Sequence, residues 1–283
     1  MTFLITGANG MLGQDVHKAL ADRTVTALGR AELDITDADA VTAATANHDV
    51  IINCAAYTRV DDAETHESDA YAINATGAAN LARAAAQHSA TVVQVSTDYV
   101  FDGTATSPYP EDAALAPVSA YGRTKAEGER LSTTLNPGRT LVLRTAWIYG
   151  AAGNSFPKTM LRLARDRDTV SVVSDQFGQP SWTVDVADQL VRLLDAGVTS
   201  GTWHATNAGK TTWFEFARAV FSLAGLDPDR VKPTSSAEFA RPAPRPSYSV
   251  LGHAQWQRHG FAKPRDWRAA LEAAAQAGVF QQP

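Results

Sequence analysis

The chain opens on a short apolar run, Thr2-Phe3-Leu4-Ile5-Thr6, followed at once by Gly7, Gly10 and Gly13 and then by a helical stretch to about Ala21. An apolar run of this length, bounded by glycine, reads as a fully buried parallel strand. Strand, glycine turn and helix in that order constrain the fold more than any other feature. The missing side chains let backbone N–H groups at a helix N-terminus approach a pyrophosphate. The spacing is G-x-x-G-x-x-G, not G-x-G-x-x-G, and without its flanks it would be only a turn. With them it predicts an α/β domain, a Rossmann-type doubly wound parallel sheet that binds a dinucleotide.

Further strands are expected at Arg23–Leu28, Asp49–Asn53, Thr91–Ser96 and Thr140–Thr145, with a helix containing Asn74 and running through Ala86. The 283 residues can bury a large core. They divide into a cofactor domain over 1–150 and a smaller, mainly substrate-binding C-terminal lobe over 151–283. Segments near 170–174 and 183–210 are expected to return to the sheet. A net charge of -5 argues against broad attraction to nucleic acid. The single Cys54 excludes an internal disulfide and a cysteine-rich metal site. Its apolar setting suggests a buried thiol. With no basic leader and no apolar run near the ~20 residues of a membrane span, the expectation is a cytoplasmic protein without a membrane partner.

In an open parallel sheet, ligands lie beyond the carboxyl ends of the strands. The second strand ends in Gly29-Arg30, where an acidic residue often meets the adenosine ribose. Arg30 offers a guanidinium fork for a 2'-phosphate instead, which favours NADPH with NADH possible; the alternative is a solvated surface arginine. Asp34-Ile35 is placed to cover the adenine, and Cys54-Ala55-Ala56 to lie against the cofactor. The acidic residues Asp61, Asp62, Glu64, Glu67 and Asp69 fit no metal-ligand spacing and read as a solvated face. Ser96-Thr97 ends the fourth strand and can hold a carbonyl. Tyr121 and Lys125, four apart on one helix face, pair an acid with an ammonium expected to lower its pKa. In the lobe, Lys158, Arg241 and Arg245 are candidates for a diphosphate. Trp147 and Phe156 could pack on a sugar or base, or could be core. His204 reads as structural.

Gly7-x2-Gly10-x2-Gly13, Thr97 and Tyr121-x3-Lys125, in this order, resemble the extended short-chain dehydrogenase/reductases. Five further segments cover almost the whole chain: Asn53–Glu64, Ser96–Gly103, Arg144–Tyr149, Asp175–Pro180 and Arg245–Leu251. They resemble the branch that reduces the 4-keto group of dTDP-4-dehydro-β-L-rhamnose. The resemblance implies Tyr121 as proton donor, Thr97 as hydrogen-bonding partner of the reacting oxygen, and Lys125 on the nicotinamide ribose. It adds Asn9, Met11, Leu12 and Tyr57 to the cofactor set. Val60, Asp98, Tyr99 and Asn154 join the residues expected to meet a dTDP-sugar. Some relatives bind magnesium at a dimer contact, but only Asp15 is a plausible remnant here and Val184 falls near where another acid would be, so no metal is expected. A monomer or a homodimer remains open. A noncatalytic dinucleotide-binding subunit and a sugar-nucleotide epimerase of the same fold are the competing readings.

Overall fold

The computed structural model describes residues 1–280. Five strands, β1 (Thr2–Thr6), β2 (Thr24–Leu28), β3 (Val50–Asn53), β4 (Thr91–Thr97) and β5 (Thr140–Thr145), join a sixth, Gly201–His204. They form one parallel sheet in the order sixth strand, β5, β4, β3, β1, β2. The connection order reverses between β1 and β3, so a crevice opens at their carboxyl ends.

Alternation along each strand buries both faces. Phe3 and Ile5 pack with Val16, Leu20, Val186 and Leu190 on one side. Leu4, Ile51 and Val92 pack with Val41, Leu81 and Ala85 on the other. Polar residues tie the strand ends under the crevice: Thr6 Oγ1 donates to Asn53 Oδ1 (2.8 Å), and Asn53 Nδ2 donates to Gln94 Oε1 (2.8 Å).

Helix Thr183–Asp195 packs on helix Met11–Ala19 within the first of these cores, and Gly201–His204 pairs with β5. Residues 170–174 do not reach the main sheet. Val170–Val173 pairs with Val231–Thr234, and its buried valines face the lobe's own core with Phe216, Val220 and Phe221. The expected continuous helix around Asn74 is also broken. Ala72–Gly77 forms a π-turn between Glu67–Tyr71 and Ala78–Gln87. Inside it the Asn74 amide accepts from Tyr57 N (2.8 Å) and donates to Thr124 Oγ1 (3.1 Å), while a Cβ at Gly128 would come within 2.2 Å of the Asn74 carbonyl oxygen. No helix among the described residues is long and apolar enough to cross a membrane.

His204 is fully buried, with Nδ1 against Gly252 O (2.8 Å) and Nε2 facing Arg144 Nη1 (3.4 Å). Burial, reinforced by the Arg144 charge, lowers its pKa to about 3, and burial lowers that of His253 to about 4. Both fall below the ordinary histidine value, so the stability they confer is present above about pH 6.5 and is lost as pH falls toward their folded values. Asp98 acts oppositely. Burial raises it to about 6, so the native state takes up that proton first on acidification and recovers part of the loss. Between pH 7 and pH 5 the net effect should be a loss of about 2 kcal/mol. Urea midpoints at the two pH values measure it, and a higher midpoint at pH 5 would contradict the assignment.

Candidate active site

The glycine turn at the end of β1 is set by close backbone approach. Gly7 has φ +66°, and a Cβ there would meet Ala55 N at 2.5 Å. A Cβ at Gly13 would fall 2.5 Å from the Gly7 carbonyl oxygen, so the first helix can start tight against β1 only without that side chain. Gly10 stands at the N-cap of this helix and donates its N–H to Gly7 O (2.9 Å). Beside the turn lies a cavity of about 230 Å³ bordered by Gly7, Asn9, Gly10, Arg30, Asp34, Ile35 and Cys54–Ala56.

This cradle fits a dinucleotide, with N–H donors at a helix N-terminus and an apolar slot beyond. Arg30 is exposed at the mouth. Asp34 accepts from Thr36 N (2.9 Å) and Thr36 Oγ1 (2.7 Å), which hold its carboxyl below the usual range. Burial pushes the Cys54 thiol up to about 12, so it is neutral. Leu12 is buried in the core with Phe3 and Ile5 and does not line this cavity. Met11 lies against Gly150. Tyr57 is anchored through its N–H to Asn74 and borders an adjoining cavity with Arg30 and Arg59.

β4 delivers Thr97 to the same edge. Its hydroxyl donates to Asp98 Oδ1 (3.0 Å) and accepts from Tyr99 N (3.2 Å). Helix Ala120–Leu135 starts at Ser119, whose Oγ accepts from Gly122 N (3.1 Å). Gly122 allows the first turn to press on Tyr99, since a Cβ there would lie 2.2 Å from the Tyr99 carbonyl oxygen. Tyr121 therefore faces Thr97, with the Tyr99 ring edge-on at 5.6 Å.

Burial raises the Tyr121 phenol well above its ordinary value, and Thr97 is the influence that lowers it. The expected tuning by Lys125 is not what this geometry provides. Lys125 is 3% exposed and donates Nζ to Val95 O (2.7 Å). The i,i+4 spacing does put both residues on one face, but a strand carbonyl captures the ammonium. Burial lowers Lys125 to about 8, opposed by the negative Glu129 four residues on. A neutral phenol beside a hydroxyl, with an ammonium behind it, is a proton-donating arrangement for an oxygen that gains negative charge.

The chain matches the family model for the RmlD substrate binding domain over residues 1–279. It belongs to that family. It is 50% identical to a probable dTDP-4,6-dihydroxy-2-methyloxan-3-one 4-ketoreductase of Streptomyces antibioticus, over 97% of this chain and 94% of that one. A dTDP-4-dehydrorhamnose reductase of Streptomyces griseus is 48% identical, with 95% and 91% covered. Among solved structures, the dTDP-4-dehydrorhamnose reductase of Bacillus anthracis str. Ames in complex with NADP superposes with TM-score 0.94 at 38% identity, covering 98% of this chain and all of that one.

The lobe residues divide into two groups. Trp147, held at φ +45°, stacks on Trp213 (3.6 Å between centroids), and Phe156 lies 4.6 Å from Trp213. Gly178 makes room for this platform, because a Cβ there would meet the Trp147 ring at 2.3 Å. Arg245 donates to Tyr99 OH (3.0 Å), tying the lobe to the tyrosine pair. Lys158 is turned elsewhere, donating to Ala151 O (2.5 Å) and Gly153 O (3.0 Å). It lines a separate cavity with Leu161 and Phe280; the carbonyls of the preceding loop draw the ammonium away from the sheet edge. Asn154 Oδ1 accepts from Thr159 Oγ1 (3.3 Å), whereas Ser155 caps by backbone position alone. Val60 is half-buried next to Asp61.

Several contributions are not visible in local sequence pattern. Trp213 completes the aromatic platform, Asn74 holds Tyr57, and Glu129 faces Lys125. Only the last has a signal, the i,i+4,i+8 row Tyr121, Lys125, Glu129. The acidic stretch is not uniformly solvated either: Asp61 pairs with Arg245 (2.8 Å) and Glu64 accepts from Ala120 N (2.8 Å). Asp15 pairs with Lys18 (3.2 Å) and accepts from Thr183 Oγ1 (2.6 Å), while Val184 is exposed. Among the described residues no cluster of three His, Cys, Asp or Glu side chains is arranged to hold a metal.

Proposed function

We propose that this protein reduces the 4-keto group of dTDP-4-dehydro-β-L-rhamnose with NADPH, giving dTDP-L-rhamnose, as a cytoplasmic enzyme. Residues 1–150 would form the dinucleotide domain and 151–283 mainly the substrate lobe. One observation carries the reading: Thr97, Tyr121 and Lys125 converge at the sheet edge beside the glycine cradle. Close relatives of this chain are named for the same reduction.

Gly7, Gly10 and Gly13 would admit the pyrophosphate, Asp34 and Ile35 would border the adenine, and Lys125 would reach the nicotinamide ribose. A dinucleotide held there would supply the hydride. Tyr121 transfers its phenolic proton to the oxygen on which charge develops. Thr97 turns its single hydroxyl proton from Asp98 to the same oxygen. Asp98, buried beside it, gives the site an ionisable neighbour with a pKa of about 6. Trp147, Trp213 and Phe156, partly buried against the lobe core, would offer their remaining apolar surface to the sugar or base.

A second reading keeps the chemistry and changes the sugar, on the observation that a 46% identical relative of Streptomyces niveus is named dTDP-4-keto-6-deoxy-D-glucose reductase. Comparing kcat/KM on dTDP-4-dehydro-L-rhamnose and on the D-configured dTDP-4-keto-6-deoxyglucose separates the two. Preference for the D-sugar would overturn the first reading in favour of the second.

Cofactor choice has its own test. Arg30→Ala should weaken NADPH about tenfold, the loss expected of a charge-assisted contact, and change NADH less than twofold. Fluorescence titration of both cofactors measures this; equal weakening would remove Arg30 from the 2'-phosphate.

A further inference from the structure

Two carboxylates three positions apart, Asp61 and Glu64, reach in different directions from one short 3-10 turn, Asp62–Glu64, whose Ala63 is fully buried. Glu64 Oε1 accepts from Ala120 N (2.8 Å), the first residue of the helix that carries Tyr121. With Ser119 Oγ on Gly122 N, this leaves two of the helix's open N–H groups held by side chains. Asp61 reaches the Pro-rich segment Arg241–Pro246. Its Oδ1 accepts from Arg245 Nη2 (2.8 Å) and from Ala243 N (3.3 Å), and its Oδ2 lies 3.7 Å from Arg241 Nη1.

This segment has few ways to be fixed by its own backbone, because its three prolines have no N–H. At its far end Pro246 packs over Gly103, where a Cβ would intrude to 2.4 Å. At its near end Phe239 is exposed. Between them the Asp61 contacts hold it over the site, and Arg245 continues to Tyr99 OH and so to the ring that borders Tyr121. One carboxylate set between two guanidinium groups leaves the segment with net positive charge. An incoming diphosphate would still be attracted to it.

We propose that the turn Asp61–Glu64 is a brace that sets the substrate segment and the catalytic helix in register: Asp61 positions Arg245 and Arg241 for a sugar-nucleotide diphosphate, and Glu64 positions Tyr121. The proposal rests on the sugar-nucleotide reading above. Both carboxylates are positioning residues acting through others, and the two arms act on different kinetic constants. Losing the Asp61 arm lets the segment loosen, so ordering it opposes substrate binding. Losing the Glu64 arm displaces the acid, which affects turnover.

The test is steady-state kinetics with the sugar nucleotide at saturating NADPH. Asp61→Ala should raise KM about tenfold with kcat within about twofold, and Asp61→Asn, which keeps the oxygen that meets Ala243, should fall between it and wild type. Glu64→Ala should lower kcat about tenfold with KM within about twofold, and Glu64→Gln, which keeps an acceptor for Ala120 N–H, should restore most of it. Chymotrypsin provides a readout independent of turnover: cleavage after Phe239 should quicken in Asp61→Ala but not in Glu64→Ala. If wild type fails to turn over this substrate class, the functional reading fails, and the cleavage rates alone judge the Asp61 arm. Unchanged cleavage in Asp61→Ala, or both alanine variants altering the same kinetic constant alike, would overturn the brace.

Discussion

Tyr121→Phe should lower turnover by roughly 100- to 10,000-fold, the contribution of a positioned general acid, with NADPH affinity changed less than about twofold. The substitution removes one oxygen and keeps the ring that packs edge-on against Tyr99. The expected loss is therefore chemical, not structural. Because burial holds the phenol protonated, the proton to be delivered is present across the neutral range, and phenylalanine cannot replace it. Single-turnover rates and cofactor titration on the same preparation measure both quantities. Near-native turnover would exclude Tyr121 as the donor.

The second large effect concerns stability. Arg144 and Glu129 are each 5% exposed and form a fork: Nε to Oε1 (3.0 Å) and Nη2 to Oε2 (2.8 Å), with Nη1 donating to Glu111 O (3.1 Å). Glu129→Ala leaves a buried guanidinium without its counter-charge, beside a neutral His204. Removing one partner of such a pair costs about 3–5 kcal/mol, enough to lower Tm by roughly 5–8 °C in a chain of this size. Replacing both by apolar residues of similar volume should cost less, since no orphaned charge remains. Calorimetry on the single and double variants decides it; a shift below about 3 °C for the single variant would contradict the account. The pair also touches the chemistry. Glu129 raises the pKa of Lys125, so in any Glu129→Ala protein that folds, the ammonium should be lost at lower pH. The alkaline fall of kcat/KM should then begin earlier.

Local pattern carried much of this molecule. The apolar runs gave the strands, the three glycines gave the turn, and the Tyr121–Lys125 spacing placed both side chains on one helix face. What spacing could not give was the partner each side chain selects. Lys125 meets the Val95 carbonyl because β4 runs beneath the helix, and Lys158 meets loop carbonyls because Ala151–Gly153 curls back on its own helix. The π-turn at Asn74 depends on Gly128, more than fifty residues away, and no local period announces it. Asp61 and Glu64 looked like a solvated acidic face because their partners, Arg245 and Ala120, are distant in the chain. Strand Val170–Val173 pairs with Val231–Thr234 and not with the main sheet for a related reason: its apolar pattern specifies burial, not the neighbour that provides it.

The most direct measurement follows NADPH oxidation with dTDP-4-dehydro-L-rhamnose, generated in place by the epimerase that forms it, with Tyr121→Phe run in parallel. Wild type should oxidise NADPH with equimolar dTDP-L-rhamnose formed, at a rate at least 100-fold above that of the variant. Wild-type protein that binds NADPH yet leaves it unoxidised in the presence of this substrate would contradict the proposed reduction.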